Sequence, residues 1–207
     1  MPTRGFPRRW FLSSLLATAA VAGCGGADPR LYVLAPMEAN APVKRGGGRS
    51  IGVQLVSLPE YLDRSEIVTY TSANELQANR DDRWAERLPT NVTRVLAENL
   101  STLLTNDRVH VMPSRNGDRA DYEVHVEVDR FERVASGQSV LDAHWTITDG
   151  ATRKVLVRDE TRLSSRVRDQ GYPALVAAMN DNLAVLSHEI AGAIARLPQK
   201  GGRRASS

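Results

Sequence analysis

Two stretches of this chain repeat apolar residues every three or four positions, and the stretch between them repeats every second one. Few folds satisfy both periods at once. The first helical seam is Leu88, Val92, Val95, Leu96, Leu103 and Leu104, broken only by the polar Asn99. Pro89 falls in its first turn, where a missing N–H costs nothing. The second seam is Leu175, Met179, Leu183, Leu186, Ile190, Ile194 and Leu197; it predicts a helix from about Pro173 to Arg196, stopped by Pro198. Between them, Tyr122, Val124, Val126 and Val128 alternate with Glu123, His125, Glu127 and Asp129 as a half-buried strand does. Phe131 falls out of phase, which predicts a β-bulge near Asp129-Arg130. Leu141, Ala143, Trp145 and Ile147 make the partner strand, and Val155, Val157 and Leu163 a third, joined by turns at Ser136-Gly137 and Asp149-Gly150. Leu31–Leu34, Ile51–Leu55 and Ile67–Tyr70 are short strand-like runs, whereas Thr71–Arg83 reads as a polar lead into the first helix. The sum is a single α+β domain: a mostly antiparallel sheet with a three-strand meander and two helices packed on one face.

The N-terminus carries a different signal. Arg4, Arg8 and Arg9 precede an apolar run from about Phe11 to Val21, too short for the ~20 residues that span a bilayer. The run ends in Val21-Ala22-Gly23-Cys24, with the only cysteine of the chain. Small residues before a cysteine at this place read as a lipoprotein signal, with a diacylglyceryl group accepted by the Cys24 sulfur. An ordinary secretory signal with an incidental thiol is the competing reading. Arg8-Arg9-Trp10-Phe11-Leu12 also fits a twin-arginine export signal, or simple positive charge bias; the residues leave both open. The resulting division is 1–24 signal, 25–50 tether with a short strand at 31–34, 51–197 folded domain, and 198–207 disordered tail. Pro36, Pro42 and Gly46-Gly47-Gly48 make Ala35–Ser50 read as a segment without fixed structure.

Charge narrows the function. Removing Arg4, Arg8 and Arg9 from the 27 Lys and Arg leaves 24, equal to the 24 Asp and Glu, so the basic balance belongs to the signal. A neutral mature domain lacks the basic excess of a nucleic-acid binder. With Cys24 acylated, no cysteine remains for a disulfide. His110, His125, His144 and His188 lack metal-ligand spacing. His144 counts back to a place opposite Asp129, and strand histidines facing solvent are expected. Asp81-Asp82 and Asp63-Arg64 read as solvated charges or surface pairs. No G-x-S-x-G, H-E-x-x-H or phosphate loop occurs. The chain is therefore read as non-enzymatic, with no cofactor and no metal.

One constellation remains. Val53-x-x-Val56-x-Leu58-Pro59-x-Tyr61-Leu62-Asp63-Arg64-x-x-Ile67-Val68, then Arg83-Trp84-Ala85-Glu86-x-Leu88, resembles the ABC-type transport auxiliary lipoproteins, the PqiC-like family. Tyr32-Val33-Leu34 after the cysteine fits as well, and the resemblance runs from about Leu31 to Leu197. It implies an outer-membrane lipoprotein facing the periplasm, consistent with Gly25 rather than aspartate after Cys24. It also implies partners: an MCE-domain protein and an ABC transporter permease/ATPase complex moving phospholipid or other hydrophobic molecules, with the membrane held through acyl chains on Cys24. Relatives can form rings, so a homo-oligomer is within the expectation.

The residues themselves admit two readings. Pro59, Tyr61, Leu62, Arg64 and Trp84 form a partner-binding patch, an aromatic anchor in a desolvated surface being a common hot spot. Alternatively, Tyr61 and Trp84 cap their own core. Two other functions stand beside docking: an assembly factor for an outer-membrane β-barrel, and a direct lipid carrier, which needs an apolar cavity of ~300 Å³ or more.

Overall fold

The computed structural model describes residues 28–38, 48–114, 117 and 119–198. Cys24, residues 25–27 and 39–47 of the expected tether, and the tail beyond Pro198 lie outside the described residues. The elements are β1 (Arg30–Tyr32), β2 (Ser50–Val53), β3 (Glu66–Ser72), β4 (Glu75–Trp84), α1 (Leu88–Leu103), β5 (Arg108–Val111), β6 (Tyr122–Arg133), β7 (Gln138–Asp149), β8 (Val155–Arg166) and α2 (Tyr172–Arg196). No helix among the described residues is long and apolar enough to cross a membrane.

All eight strands join one sheet. The meander β6-β7-β8 is antiparallel throughout, and β3-β4 forms a second antiparallel hairpin. The short strands are different: β1 runs parallel to β4, and β2 runs parallel to both β5 and β6. A parallel return needs a crossover, and α1 supplies it between β2 and β5. The free edge of β6 is shared, its beginning pairing with β2 and its end meeting β3 at Thr69–Arg133.

The bulge lies where the change of phase predicts: Asp129 is skipped between Val128 and Arg130, which carries Phe131 onto the buried side. The bulge also moves the register, so Glu127 and not Asp129 stands opposite His144. Asp129 still reaches that imidazole diagonally, at 3.1 Å.

Ile51, Val53, Val124, Val126, Val128, Ala143, Trp145 and Ile147 point into the same layer as the two helix seams and are buried with them. The hydrophobic transfer of this contiguous layer is the main stabilising term. Gly150 is required by contact rather than by φ. A Cβ there would sit 1.9 Å from the Ala120 carbonyl oxygen, so only glycine lets the β7–β8 turn pass the loop before β6.

Three expectations are corrected. Thr71–Arg83 is mostly strand, not a lead-in: β4 is a ten-residue arm exposed at Glu75–Gln77 and at Arg80-Asp81, with Ala78 packed on the core and Asp82 and Trp84 buried. Asp82 is fully buried, not solvated; it accepts bonds from Arg30 Nη2 (2.7 Å), Tyr32 Oη (2.8 Å) and Asn79 Nδ2 (3.0 Å), which lock β1 to β4. The expected tether begins with a fixed strap. Leu34 N donates to Asn91 Oδ1 (2.6 Å), Ala35 N to Asn180 Oδ1 (3.1 Å) and Met37 N to Asn99 Oδ1 (2.8 Å). Asparagine carbonyls thus replace the sheet partner that this backbone lacks.

The far end of the molecule is closed by charge. Arg49 and Asp107, both buried, pair at 2.8 Å. The same guanidinium donates to the Ile194 and Leu197 carbonyls at 2.7 and 3.2 Å, capping the C-terminus of α2.

Candidate docking site

The connection from β2 to β3 is a tight loop. Leu62 N donates to the Pro59 carbonyl (2.9 Å) and Asp63 N to the Glu60 carbonyl (3.2 Å), which turns the chain so that consecutive side chains diverge. Leu62 goes down and is 3% exposed; Tyr61 lies half-buried along the surface; Arg64 points out and pairs with Glu66 at 3.0 Å. Before the loop, Val56 N donates to Thr93 Oγ1 of α1 (2.9 Å), and Leu55 stays largely exposed.

Tyr61 is held from several sides. Its hydroxyl donates to Glu132 Oε2 (3.0 Å), and its ring meets Tyr70 edge-on with centroids 6.3 Å apart. The Arg130 guanidinium sits over the Tyr70 ring, 5.6 Å from its centroid. Arg130 Nε also donates to Glu132 Oε1 (2.9 Å), and the Phe131 amide to Oε2 (2.8 Å). Glu132 is only 1% exposed, so burial raises its pKa above the ordinary carboxyl value, against the pull of these donors. Burial and the adjacent Glu132 carboxylate push the Tyr61 hydroxyl far above the usual phenol range, so it remains a donor.

The second quoted run folds against the first. Trp84 N donates to the Ser65 carbonyl (2.7 Å), and the Arg87 guanidinium pairs with the Asp63 carboxylate. Trp84 is 6% exposed and Leu88 is buried, both in the common core. Arg94 then ties Glu86 to Glu98 at 2.9 and 3.1 Å. The third piece joins them: Ala85 N donates to the Tyr32 carbonyl (2.8 Å), and Leu34 is buried. Runs separated by some fifty positions therefore meet in one corner.

Of the expected patch residues, Arg64 is exposed and Pro59 and Tyr61 are partly so. Leu62 and Trp84 lie beneath them and hold the loop. Glu132 and Tyr70 were not among the expected residues. Glu132 follows the bulge, and only the phase change at Phe131 signals that its neighbours turn inward. Away from this corner, a hollow of about 470 Å³ between β8 and α2 is lined by Asp159, Glu160, His188, Glu189 and Arg196 among others. Another, of about 380 Å³, lies by Arg119, Glu123 and Arg153.

A layered α+β domain with its N-terminal strap clamped across a helix pair, and its β2–β3 loop braced by a polar network, defines the class. The chain belongs to the family of ABC-type transport auxiliary lipoprotein components, whose sequence pattern it matches over residues 32–191. It is 24% identical over 194 residues to the intermembrane transport lipoprotein PqiC of Escherichia coli (strain K12), covering 92% of this chain and 100% of that protein. The fold is similar to that of an uncharacterized protein (TM-score 0.69, 22% identity, 81% of this chain and 99% of the other). A protein from Xanthomonas campestris is similar in the same way (TM-score 0.69, 15% identity, 80% and 95% covered).

Proposed function

We propose that the chain is exported, acylated on Cys24, and held at the outer membrane facing the periplasm, where it acts as a non-enzymatic docking subunit. Its partners are an MCE-domain protein and the permease/ATPase complex of an ABC transporter. The cargo is phospholipid or another hydrophobic molecule. Family membership and the likeness to a protein named for intermembrane transport support this reading. The observation that carries the docking role is the β2–β3 loop: a rigid turn, fixed from below by Leu62 and Trp84, that offers Pro59, Tyr61 and Arg64 at the surface. Such preorganisation lowers the ordering cost of association.

The test places a photocrosslinking amino acid at Arg64, or at Leu156 on the meander, in the membrane-anchored protein. A crosslink from position 64 to an MCE-domain protein or permease, absent from position 156, supports the loop as the docking surface. Crosslinks of equal yield from both positions refute it.

A further inference from the structure

The strap Arg30–Met37 is fixed to the domain, and its outward side is apolar. Tyr32 and Leu34 turn inward, so the alternation leaves Leu31 and Val33 outside, 64% and 48% exposed. These are consecutive outward positions on a segment fixed by Asp82 on one side and by Asn91 and Asn99 on the other. On the same face of the sheet, Leu31 is paired with Arg83, whose Nε donates to the Arg80 carbonyl. The surface therefore offers aliphatic side chains beside a cation, the combination that suits the boundary between lipid headgroups and acyl chains.

Chain length brings that surface close to a bilayer. Only six residues lie between Cys24 and Leu31, and even fully extended the seven Cα–Cα steps reach no further than about 25 Å. An acylated Cys24 lies at the headgroup level, so Leu31 never leaves the neighbourhood of the lipid. At such effective concentration, weak insertion of two aliphatic side chains suffices to bias orientation.

We propose that Leu31 and Val33 are the membrane-facing strip of the anchored domain, resting in the headgroup region of the phospholipid bilayer that carries the Cys24 acyl chains. The inference rests on Cys24 acylation and adds an orientation to it: the β1–β4 edge faces the bilayer, and the other exposed surfaces are set relative to it.

The experiment uses the full chain, purified from membranes, with a second cysteine introduced as Leu31→Cys or, as a control on β8, Val155→Cys. Acylated Cys24 does not react with maleimide, so a nitrobenzoxadiazole dye reports the second position alone. The protein is reconstituted into phosphatidylethanolamine/phosphatidylglycerol vesicles containing a nitroxide-labelled lipid. The expected result is a blue-shifted dye at position 31 that is quenched by the labelled lipid and loses most of its accessibility to iodide, while position 155 stays aqueous. An acylated protein whose dye at 31 remains aqueous overturns the orientation and leaves the anchor intact. A chain that takes up no labelled palmitate and does not float with vesicles overturns the anchor and the orientation together.

Discussion

Replacing Arg49 by alanine probes the joint on which both ends of the domain depend. The pair with Asp107 is buried on both sides, and the guanidinium also satisfies two carbonyls at the end of α2. Truncation takes the guanidinium away from a buried carboxylate that keeps the Arg49 N–H as a donor at 2.8 Å, and breaking a buried pair from one side costs about 3–5 kcal/mol. For a domain of about 150 residues, each kcal/mol moves the melting temperature by about 2–4 °C, so the drop is about 6–20 °C. Arg49→Lys keeps the charge, but a compact ammonium cannot span a carboxylate fork and two carbonyls together, and an intermediate loss is expected. The double variant Arg49→Met, Asp107→Asn removes both charges, keeps an acceptor for the Arg49 N–H and should be more stable than Arg49→Ala alone. The assay is thermal unfolding of the purified protein followed by circular dichroism. If Arg49→Ala melts within about 2 °C of the parent, the buried-pair argument is wrong.

Other consequences are specific to single residues. Glu132 has a raised folded pKa, so the folded state binds its proton more readily than the unfolded chain does. Stability is therefore greater below the ordinary carboxyl value of 4.5 and is lost as pH rises from there through the raised folded value; Glu132→Gln should flatten that part of the curve relative to the parent, and identical curves would contradict it. Asn99→Leu removes the acceptor for Met37 N and the donor to Ser187 Oγ, at a cost of about 1–3 kcal/mol. The exchange of the Met37 amide should accelerate, and unchanged protection would show that the strap is held otherwise. Leu62→Ala should cost about 2–5 kcal/mol, whereas Arg64→Ala should stay within about 0.5 kcal/mol. Equal denaturation midpoints would place Leu62 outside the core.

The sequence shows periodicity well and pairing poorly. Both helices, the meander and the bulge are legible because each buries one face, and a buried face imposes a period. β4 escapes notice because its run Glu75–Trp84 has almost no apolar alternation, and β5 because four residues carry too little pattern. Asn99 is visible as a polar break in a helix seam, yet nothing in one dimension says that a strap from sixty positions earlier needs its carbonyl. Charged residues mislead in the same way. Asp82, Glu123 and Glu132 sit at polar strand positions but are buried, since loops and long side chains cover them in three dimensions. Arg153 and Gln54 reach Glu123 from outside its strand. At the candidate site, the motif runs were legible as separate pieces; their meeting at Asp63–Arg87 and Ser65–Trp84 depends on the sheet.

The most direct test of the docking role is a crosslinked pull-down of the Cys24-anchored protein from native membranes, with partners identified by mass spectrometry. The account predicts enrichment of an MCE-domain protein or its ABC permease, lost when the β2–β3 loop is altered at Tyr61 and Arg64 without loss of fold. Recovery of an outer-membrane β-barrel alone, with neither transporter component, would contradict it and make the chain an assembly factor.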